Sequence, residues 1–151
     1  MLSQLLERTT FHSYDDFARH YRVKIPSDFN FAFDVVDTLA AQDPERRALV
    51  WCNDNGESRV FTMSQIARDS ARAAAWFHSL GVRKGDSVML ILKRHHRYWT
   101  ALLGLHKLGA VAIPATHQLA CKDIVYRVRA ANVKMMVAVD DPGVRAAVEA
   151  A

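Results

Sequence analysis

The sequence has few cysteines, few prolines and no long apolar run. Its two cysteines, Cys52 and Cys121, lie far apart in 151 residues and match no metal-binding spacing. Two isolated thiols are typical of a reducing compartment rather than of a disulfide framework. No stretch approaches the roughly 20 continuous apolar residues that a membrane-spanning helix requires. The first 25 residues include Glu7, Asp15 and Asp16 and lack a continuous apolar run. We therefore expect a cytoplasmic protein with no membrane span, secretory signal or transit peptide.

The net charge of the chain is only mildly positive and excludes few classes of binding partner. Twenty Lys and Arg residues against sixteen Asp and Glu residues give a net charge of +4. This charge is compatible with an anionic ligand such as a nucleotide, but it is too diffuse to predict a nucleic-acid partner. The densest basic run, residues 93–97, is interpreted as a solvated loop, with an internal anion or partner contact as the alternative.

The sequence also lacks the motifs of common nucleotide-binding and hydrolytic sites. The turn after the apolar run at residues 87–92 contains no glycine, which excludes a dinucleotide fingerprint and a Walker loop there. No serine stands in a Gly-x-Ser-x-Gly elbow. Adjacent His95 and His96 point in different directions if they lie on a helix, and His106 is interpreted as a satisfied core histidine. Cys121 has no histidine base at a fixed spacing. We therefore expect no catalytic residue and no metal site in this chain.

Hydrophobic periodicity predicts alternating helices and strands. The elements expected in chain order are a helix at residues 14–21, a helix from residue 31 that Asp43-Pro44 closes, hairpin strands at 48–52 and 58–61 with the tight-turn signal Asn55-Gly56 between them, a helix with a capping box of Thr62 and Gln65 and with Ile66, Ala73, Phe77 and Leu80 inside, a strand at 87–92, a helix at 98–108 that Gly109 ends, a buried strand at 110–114, a helix around 124–131, a strand at 134–139 and a helix from Pro142. Buried apolar strands that alternate with helices indicate parallel pairing. The expected fold class is α/β: an open, mostly parallel sheet with flanking helices, preceded by helices and a β-hairpin.

Two regions differ in pattern along the chain. Residues 1–30 are mixed and aromatic and are expected to form an N-terminal extension, whereas residues 31–151 are expected to form an incomplete α/β subdomain. Residues 148–151 read as the middle of a helix, without a capping glycine, proline or polar tail, so we expect this subdomain to be truncated at its C-terminal end. An open sheet without its next strands exposes unpaired backbone groups and an apolar face, which predicts that the chain self-associates.

An ordered series of sequence blocks resembles the adenylate-forming, AMP-binding superfamily. The blocks are residues 81–88, 102–114, 123–127 and 134–137. The likeness runs in order from about residue 28 to the end of the chain. Residues 105–119 and residues 31–37 are most similar to the medium-chain acyl-CoA synthetase branch. The resemblance implies that this chain is the N-terminal part of such a synthetase.

The resemblance implies an activity for the parent protein and an absence in this chain. Family members activate a carboxylic acid with ATP to an acyl-adenylate and then transfer the acyl group to coenzyme A, with Mg2+ assisting the first step. Their Ser/Thr/Gly-rich phosphate loop, Tyr-x-x-Thr-Glu block, ribose-binding Asp and C-terminal-domain lysine do not occur in these 151 residues. We therefore expect the chain alone to be inactive and to hold no cofactor, while the parent uses ATP, coenzyme A and Mg2+ on a small carboxylic acid. The alternatives are a stand-alone nucleotide-binding or protein-interaction α/β module without catalysis, and a small flavodoxin-like enzyme.

Two positions are implied by the resemblance to lie near coenzyme A. In family members the turn after the second parallel strand borders the tunnel of the pantetheine arm, and here that turn is Thr116-His117-Gln118. Arg145 resembles a family arginine that meets the nucleotide of coenzyme A, and a guanidinium suits a phosphate by charge and bidentate geometry. Some family members have a second arginine three residues further on, where this chain has Val148. The alternatives are a plain connecting loop at residues 116–118 and a solvated side chain at Arg145.

Overall fold

The computed structural model describes residues 5–151, over which helices and strands alternate. The elements in chain order are α1 (Tyr14–His20), a π-helix (Phe31–Asp37), α2 (Thr38–Gln42), β1 (Arg47–Cys52), β2 (Ser58–Thr62), α3 (Met63–Ser79), β3 (Ser87–Ile91), α4 (Arg97–Leu108), β4 (Val111–Pro114), α5 (Cys121–Ala130), β5 (Val133–Ala138) and α6 (Pro142–Glu149). The predicted order of elements is confirmed, and each strand begins and ends within one residue of its predicted bounds.

β3 lies at the centre of a three-stranded parallel sheet with the strand order β4-β3-β5. Val88, Leu90 and Leu92 pack in one hydrophobic cluster with side chains of α3 and α4. Met89 and Ile91 pack in another cluster with side chains of α5 and α6. Helices therefore cover both faces of the sheet, which explains why β3 has a continuous apolar sequence instead of an alternating one. The predicted α/β fold with flanking helices is confirmed.

β4 is less buried than the sequence predicted. We expected a second buried strand, but Val111 is 50% exposed, and Ala112 and Ile113 are only partly buried. The reason is the strand order: in the described part of the chain, β4 forms one edge of the sheet and β5 the other. Each edge strand presents one row of backbone groups that no neighbouring strand of residues 5–151 pairs.

β1 and β2 form the predicted antiparallel hairpin, but its connection is longer than a tight turn. The loop covers residues 53–57, and Gly56 adopts the left-handed conformation with φ of 80°. The side-chain oxygen of Asn53 accepts hydrogen bonds from the backbone N–H groups of Asn55 and Glu57, at 3.1 and 3.0 Å. The side chain of Asn53 thus fixes the shape of the loop, and the Asn55-Gly56 pair contributes only Gly56, the residue with a left-handed backbone conformation.

Most of the predicted inner face of α3 is confirmed, and so is its capping box. Ile66 and Phe77 are buried. The Thr62 hydroxyl accepts a hydrogen bond from the Gln65 N–H at 3.4 Å, and the Gln65 side chain accepts one from the Thr62 N–H at 2.9 Å. The prediction for Leu80 is wrong: its side chain is 49% exposed, because Leu80 is the C-terminal cap residue, where the chain already leaves the helical path.

The helix expected from residue 31 begins as a π-helix and continues as α2. Asn30 caps its start, since its side-chain oxygen accepts a hydrogen bond from the Ala32 N–H at 3.0 Å. The Asn30 amide also donates to the carbonyl of His106 at 2.6 Å. The capping residue therefore joins the π-helix to α4.

The helix α1 lies before the core in the sequence and has no buried residue. Leu6 and Val23 form an isolated antiparallel bridge around this helix. The Arg8 guanidinium joins the residues before α1 to this helix by donating two hydrogen bonds to the Asp16 carboxylate, at 2.9 and 2.5 Å. Within residues 5–151, no helix has the length and apolarity that crossing a bilayer requires.

Candidate functional site

The carboxyl ends of the parallel strands form the edge at which open α/β sheets bind ligands. In this chain that edge consists of residues 93–97 after β3, residues 116–118 after β4 and residues 140–145 after β5. We call these three segments the carboxyl edge. The two groups of residues that the resemblance relates to coenzyme A therefore lie at the same edge of the sheet, on either side of the β3 loop.

The turn after β4 is open to solvent. Thr116, His117 and Gln118 are all exposed. Thr116 Oγ1 accepts a hydrogen bond from the Gln118 N–H at 3.3 Å, which fixes the shape of the turn. The imidazole and the amide at this turn are accessible to a ligand that reaches the carboxyl edge.

Arg145, the predicted phosphate contact, already has an anionic neighbour. Its guanidinium pairs with the carboxylate of Asp140, and the two side chains are 59% and 83% exposed. Exposed ion pairs of this kind contribute little to stability, so the guanidinium can exchange one anionic partner for another. The charge and exposure of Arg145 suit a phosphate contact, which stays a prediction.

Lys93 connects the β3 loop to the start of α6. Its Nζ lies 2.5 Å from the carboxylate of Asp141, which also caps α6 by accepting from the N–H groups of Gly143 and Val144 at 3.0 and 3.1 Å. The hydrogen bond from Lys93 is the main reason that the pKa of Asp141 lies below its usual range, and the capping bonds lower it further. Lys93 has φ of 51°, a left-handed conformation that costs a residue with a Cβ roughly 1 kcal/mol.

His95 and His96 lie in the turn before α4, and their rings stack with centroids 4.3 Å apart. The two residues precede the helix, so the divergence expected of adjacent residues on a helix does not apply to them. The Trp51 ring lies 5.8 Å from His95 and 5.1 Å from His96, and the Phe61 ring lies 5.0 Å from His96. The Trp51 indole N–H also donates to the carbonyl of Arg94 at 2.8 Å. The two histidines and the Arg94 carbonyl thus contact the hairpin, whereas the side chains of Lys93, Arg94 and Arg97 are exposed.

The surroundings of the two stacked histidines disfavour their protonation. Burial lowers the pKa of His95, and the positive charges of Arg97 and Arg59 lower it further. Burial is also the main cause that lowers the pKa of His96, followed by the charge of His95 and of the same two arginines. Both rings are therefore expected to be neutral at pH 7. Among residues 5–151, no group of three or more His, Cys, Asp or Glu side chains is arranged to hold a metal ion.

The interpretation of His106 as a satisfied core histidine is wrong. Its Nδ1 is buried and has no hydrogen-bond partner among residues 5–151. Burial lowers the pKa of this imidazole as well. His106 lines an apolar cavity of about 300 Å3 between the π-helix, the hairpin, α3 and α4. The sequence offered one signal, a histidine at an inner position of an apolar helix, but it could not show that the ring lacks a partner.

Close packing and a partly buried ion pair fix α4 against its neighbours. A Cβ atom at Gly104 would lie 2.8 Å from the Cβ of Ala73 on α3, so this helix crossing requires glycine. Lys107 Nζ lies 2.8 Å from both carboxylate oxygens of Asp37 and 3.3 Å from the carbonyl of Ala67. The Lys107 side chain is 6% exposed, so the sequence interpretation of the site missed a structurally important charge.

Comparison with known proteins relates the chain to one family. The profile of the family described as AMP-binding enzyme matches residues 36–151. Acyl-coenzyme A synthetase ACSM5 of Rattus norvegicus is 33% identical over 122 residues, which are 77% of this chain and 21% of that protein. Acyl-coenzyme A synthetase ACSM3 of Homo sapiens is 32% identical over 136 residues, 86% of this chain and 23% of that protein. The names describe both relatives as mitochondrial. The chain spans about a fifth of their length.

Solved structures share the fold at low sequence identity. A fatty acyl CoA synthetase of Mycobacterium tuberculosis superposes with a TM-score of 0.71 and 23% identity, covering 80% of this chain and 23% of that one. The inhibitor-bound N-terminal domain of FACL13 from Mycobacterium tuberculosis has the same TM-score and identity, 0.71 and 23%, and covers 80% of this chain and 29% of that one. These similarities show the fold, and the profile match over residues 36–151 shows the family. The chain belongs to the AMP-binding enzyme family.

Proposed function

We propose that this chain forms the N-terminal part of an ATP-dependent acyl-CoA synthetase and contributes to the coenzyme A side of that enzyme. The observation that carries the proposal is the family match over residues 36–151, together with relatives that are named acyl-coenzyme A synthetases. The expected α/β subdomain begins near residue 31, and the residues before it form an extension.

The proposed reaction of the whole protein has two steps. The carboxylate of a small carboxylic acid attacks the α-phosphorus of ATP and pyrophosphate leaves, with Mg2+ assisting. The thiol of coenzyme A then attacks the acyl carbon and AMP leaves. The 151 residues lack the phosphate loop and the lysine that the family uses for this chemistry, so we propose that the chain alone is inactive. The similarity of residues 105–119 to the medium-chain branch makes octanoate the first substrate to test.

Arg145 and the turn Thr116-His117-Gln118 are proposed to meet coenzyme A. Their exposure and their position at the carboxyl edge support this role. A phosphate of coenzyme A replaces Asp140 as the partner of the Arg145 guanidinium, by charge and bidentate geometry. The hydroxyl of Thr116 already holds the turn, which leaves His117 and Gln118 to contact the pantetheine arm.

The predicted cytoplasmic location stays part of this proposal. The two relatives carry the word mitochondrial in their names, which describes those proteins. Localisation of a fluorescently tagged chain distinguishes a cytoplasmic from an organellar distribution.

A chimera tests the proposed function directly. Residues 31–151 replace the corresponding segment of human acyl-coenzyme A synthetase ACSM3, and ATP–pyrophosphate exchange and acyl-CoA formation with octanoate are measured. We expect both activities to persist. A chimera that folds, by circular dichroism, but shows neither activity contradicts the proposal that this chain serves as such an N-terminal part.

The same chimera tests Arg145. We expect Arg145→Ala to raise the KM for coenzyme A severalfold while ATP–pyrophosphate exchange is unchanged, because the loss concerns only the second substrate. Arg129→Ala is the matched control, since Arg129 is an exposed arginine in the last turn of α5, at the other end of the sheet. Equal KM values for the two variants rule out a coenzyme A contact at Arg145.

A further inference from the structure

The basic run at residues 93–97 has no part in the proposed coenzyme A contacts, yet the fold brings a further arginine to it. Arg59 on β2 is the cross-strand partner of Trp51 on β1, so the two side chains lie on the same face of the hairpin. The Trp51 ring packs on both imidazoles of the run. Arg97, the first residue of α4, donates its backbone N–H to His95 Nδ1 at 3.2 Å. The hairpin and α4 thus bring two arginines to the stacked histidine pair.

We call Arg59, His95, His96 and Arg97 the basic cluster. The charges that act on its imidazoles are all positive, since Arg59 and Arg97 lower the pKa of both histidines and no carboxylate of residues 5–151 raises either. Neither arginine forms an ion pair with a carboxylate in this part of the chain. The first turn of α4 also contains no acidic residue, so the start of this helix adds positive potential. The basic cluster is therefore a concentration of positive charge without a counter-ion among the described residues.

The chemistry of the basic cluster suits a compact anion. Guanidinium groups bind phosphate through charge-assisted, bidentate hydrogen bonds, which are stronger than neutral ones. Both arginine side chains are exposed and can contact a ligand from solvent, whereas both imidazoles are partly buried. An anion beside a partly buried imidazole favours its protonation, because it supplies the opposite charge that the protein leaves out. Two guanidinium groups and two titratable rings therefore match the two negative charges of a phosphate group.

We propose that the basic cluster binds a phosphate group, which Arg59 and Arg97 contact through their guanidinium groups beside the stacked rings of His95 and His96. The residues of the cluster are not those of the proposed coenzyme A contacts, and the test of the cluster uses no enzymatic activity. Failure of this proposal therefore leaves the proposed function untouched, and the reverse also holds.

Titration of the full chain with sulfate tests the site. Sulfate has the shape and charge of the phosphate dianion and does not titrate between about pH 5.5 and pH 7.5, where histidines do, so a pH dependence of its affinity comes from the protein. The NMR signals of the Trp51 indole N–H and of the two imidazoles are followed at constant ionic strength. We expect saturable shifts and about fivefold tighter binding at the lower pH, because protonated His95 and His96 attract the anion. Saturating sulfate should raise the pKa of both imidazoles, as the reciprocal effect requires.

The variants Arg59→Gln and Arg97→Gln each remove one positive charge and keep a polar side chain, so each should weaken sulfate binding about fivefold. Arg129→Gln, at an exposed position of α5, should leave the affinity unchanged. Even if a cluster variant does not fold, the pH dependence of binding to the unchanged chain decides the question. Equal affinities of Arg59→Gln and Arg129→Gln, or an affinity that does not change with pH, overturn the proposal. Shifts confined to the backbone N–H signals of Gly143 and Val144 overturn it too, because the anion then lies at the start of α6.

Two further probes distinguish the sources of the phosphate group. Inorganic phosphate represents a free ion and adenosine monophosphate represents a nucleotide, and both are titrated against the same signals. We expect both to bind and both to lose affinity in Arg59→Gln, and the tighter of the two identifies the source. Failure of both probes to shift the signals of Trp51 and the imidazoles overturns the proposal.

Discussion

Single residues of α4 hold together segments that are far apart in sequence. Lys107 reaches Asp37 across 70 positions, and the backbone carbonyl of His106 accepts from Asn30 across 76 positions. Gly104 lets α4 approach α3 so closely that a Cβ would contact the Ala73 Cβ at 2.8 Å. These contacts join the π-helix, α3 and α4 into one packed unit.

Removal of the Lys107 charge should destabilise this unit. We expect Lys107→Met to lower the free energy of unfolding by about 2 kcal/mol, because it leaves the Asp37 carboxylate without its partner. The expected loss is smaller than for a fully buried pair, since the Asp37 side chain is 33% exposed. Urea denaturation monitored by circular dichroism measures the change.

Two further variants separate the ion pair from the loss of a long side chain. Asp37→Asn combined with Lys107→Met should recover part of the loss, because no unpaired charge remains. Lys122→Met, at an exposed position of α5, should change the free energy of unfolding little. If Lys107→Met is as stable as the original chain, the pair does not hold the π-helix to α4.

At the scale of helices and strands, the sequence was most informative where a local motif decides the structure. The Thr62–Gln65 capping box and the left-handed glycine after α4, Gly109, need only near neighbours, so they were predictable. The π-helix was not, because the spacing of its apolar residues does not distinguish it from an α-helix. The partial exposure of β4 depends on strand order, which the local pattern does not encode.

The contact between the hairpin and the turn before α4 should depend on pH. His95 and His96 have a lower pKa in the folded chain than the ordinary value of 6.5, so the folded state binds fewer protons than the unfolded state. The stability of the chain is therefore complete above the unfolded pKa and falls as the pH decreases through it. We expect the melting temperature and the fluorescence of Trp51 to change between pH 7.5 and pH 5.5.

Replacement of both histidines by glutamine should reduce this pH dependence. His106 retains a dependence of the same sign, since burial lowers its pKa too. The carboxyl groups of Asp86 and Asp141 have a lowered pKa as well, but they contribute only when the pH approaches their ordinary value of 3.8. An unchanged profile in the double variant contradicts the assignment of the effect to the stacked pair.

At the scale of the whole molecule, ordered sequence blocks identified both the family and the fold, because they place apolar strands and capping glycines in a fixed series. The candidate site was only partly predictable. Parallel strands bring residues 116–118 and Arg145 to the same edge, and that follows from the fold class. The Lys93–Asp141 contact and the packing of His95 and His96 against Trp51 and Phe61 join segments distant in sequence, so no local pattern reveals them.

The two open edges of the sheet should make the chain self-associate. β4 and β5 are edge strands in the described residues, and Val111 on β4 is 50% exposed. We expect dimers or larger species in sedimentation velocity at tens of micromolar, because unpaired backbone groups and apolar edge side chains template further pairing. Val111→Lys should shift the distribution toward monomer, whereas Leu80→Lys, at an exposed helix end, should not. A monodisperse monomer at that concentration contradicts this expectation.

The proposal that this chain lacks the residues for adenylation is tested most directly by ATP–pyrophosphate exchange with octanoate, Mg2+ and the purified 151-residue chain. The chimera with human ACSM3 serves as the positive control under the same conditions. We expect exchange by the chain alone to equal a blank without protein, because the residues that bind the phosphates of ATP in this family are absent from its sequence. Robust exchange that follows the chain through purification would contradict the proposal that it is a scaffold without the adenylation machinery.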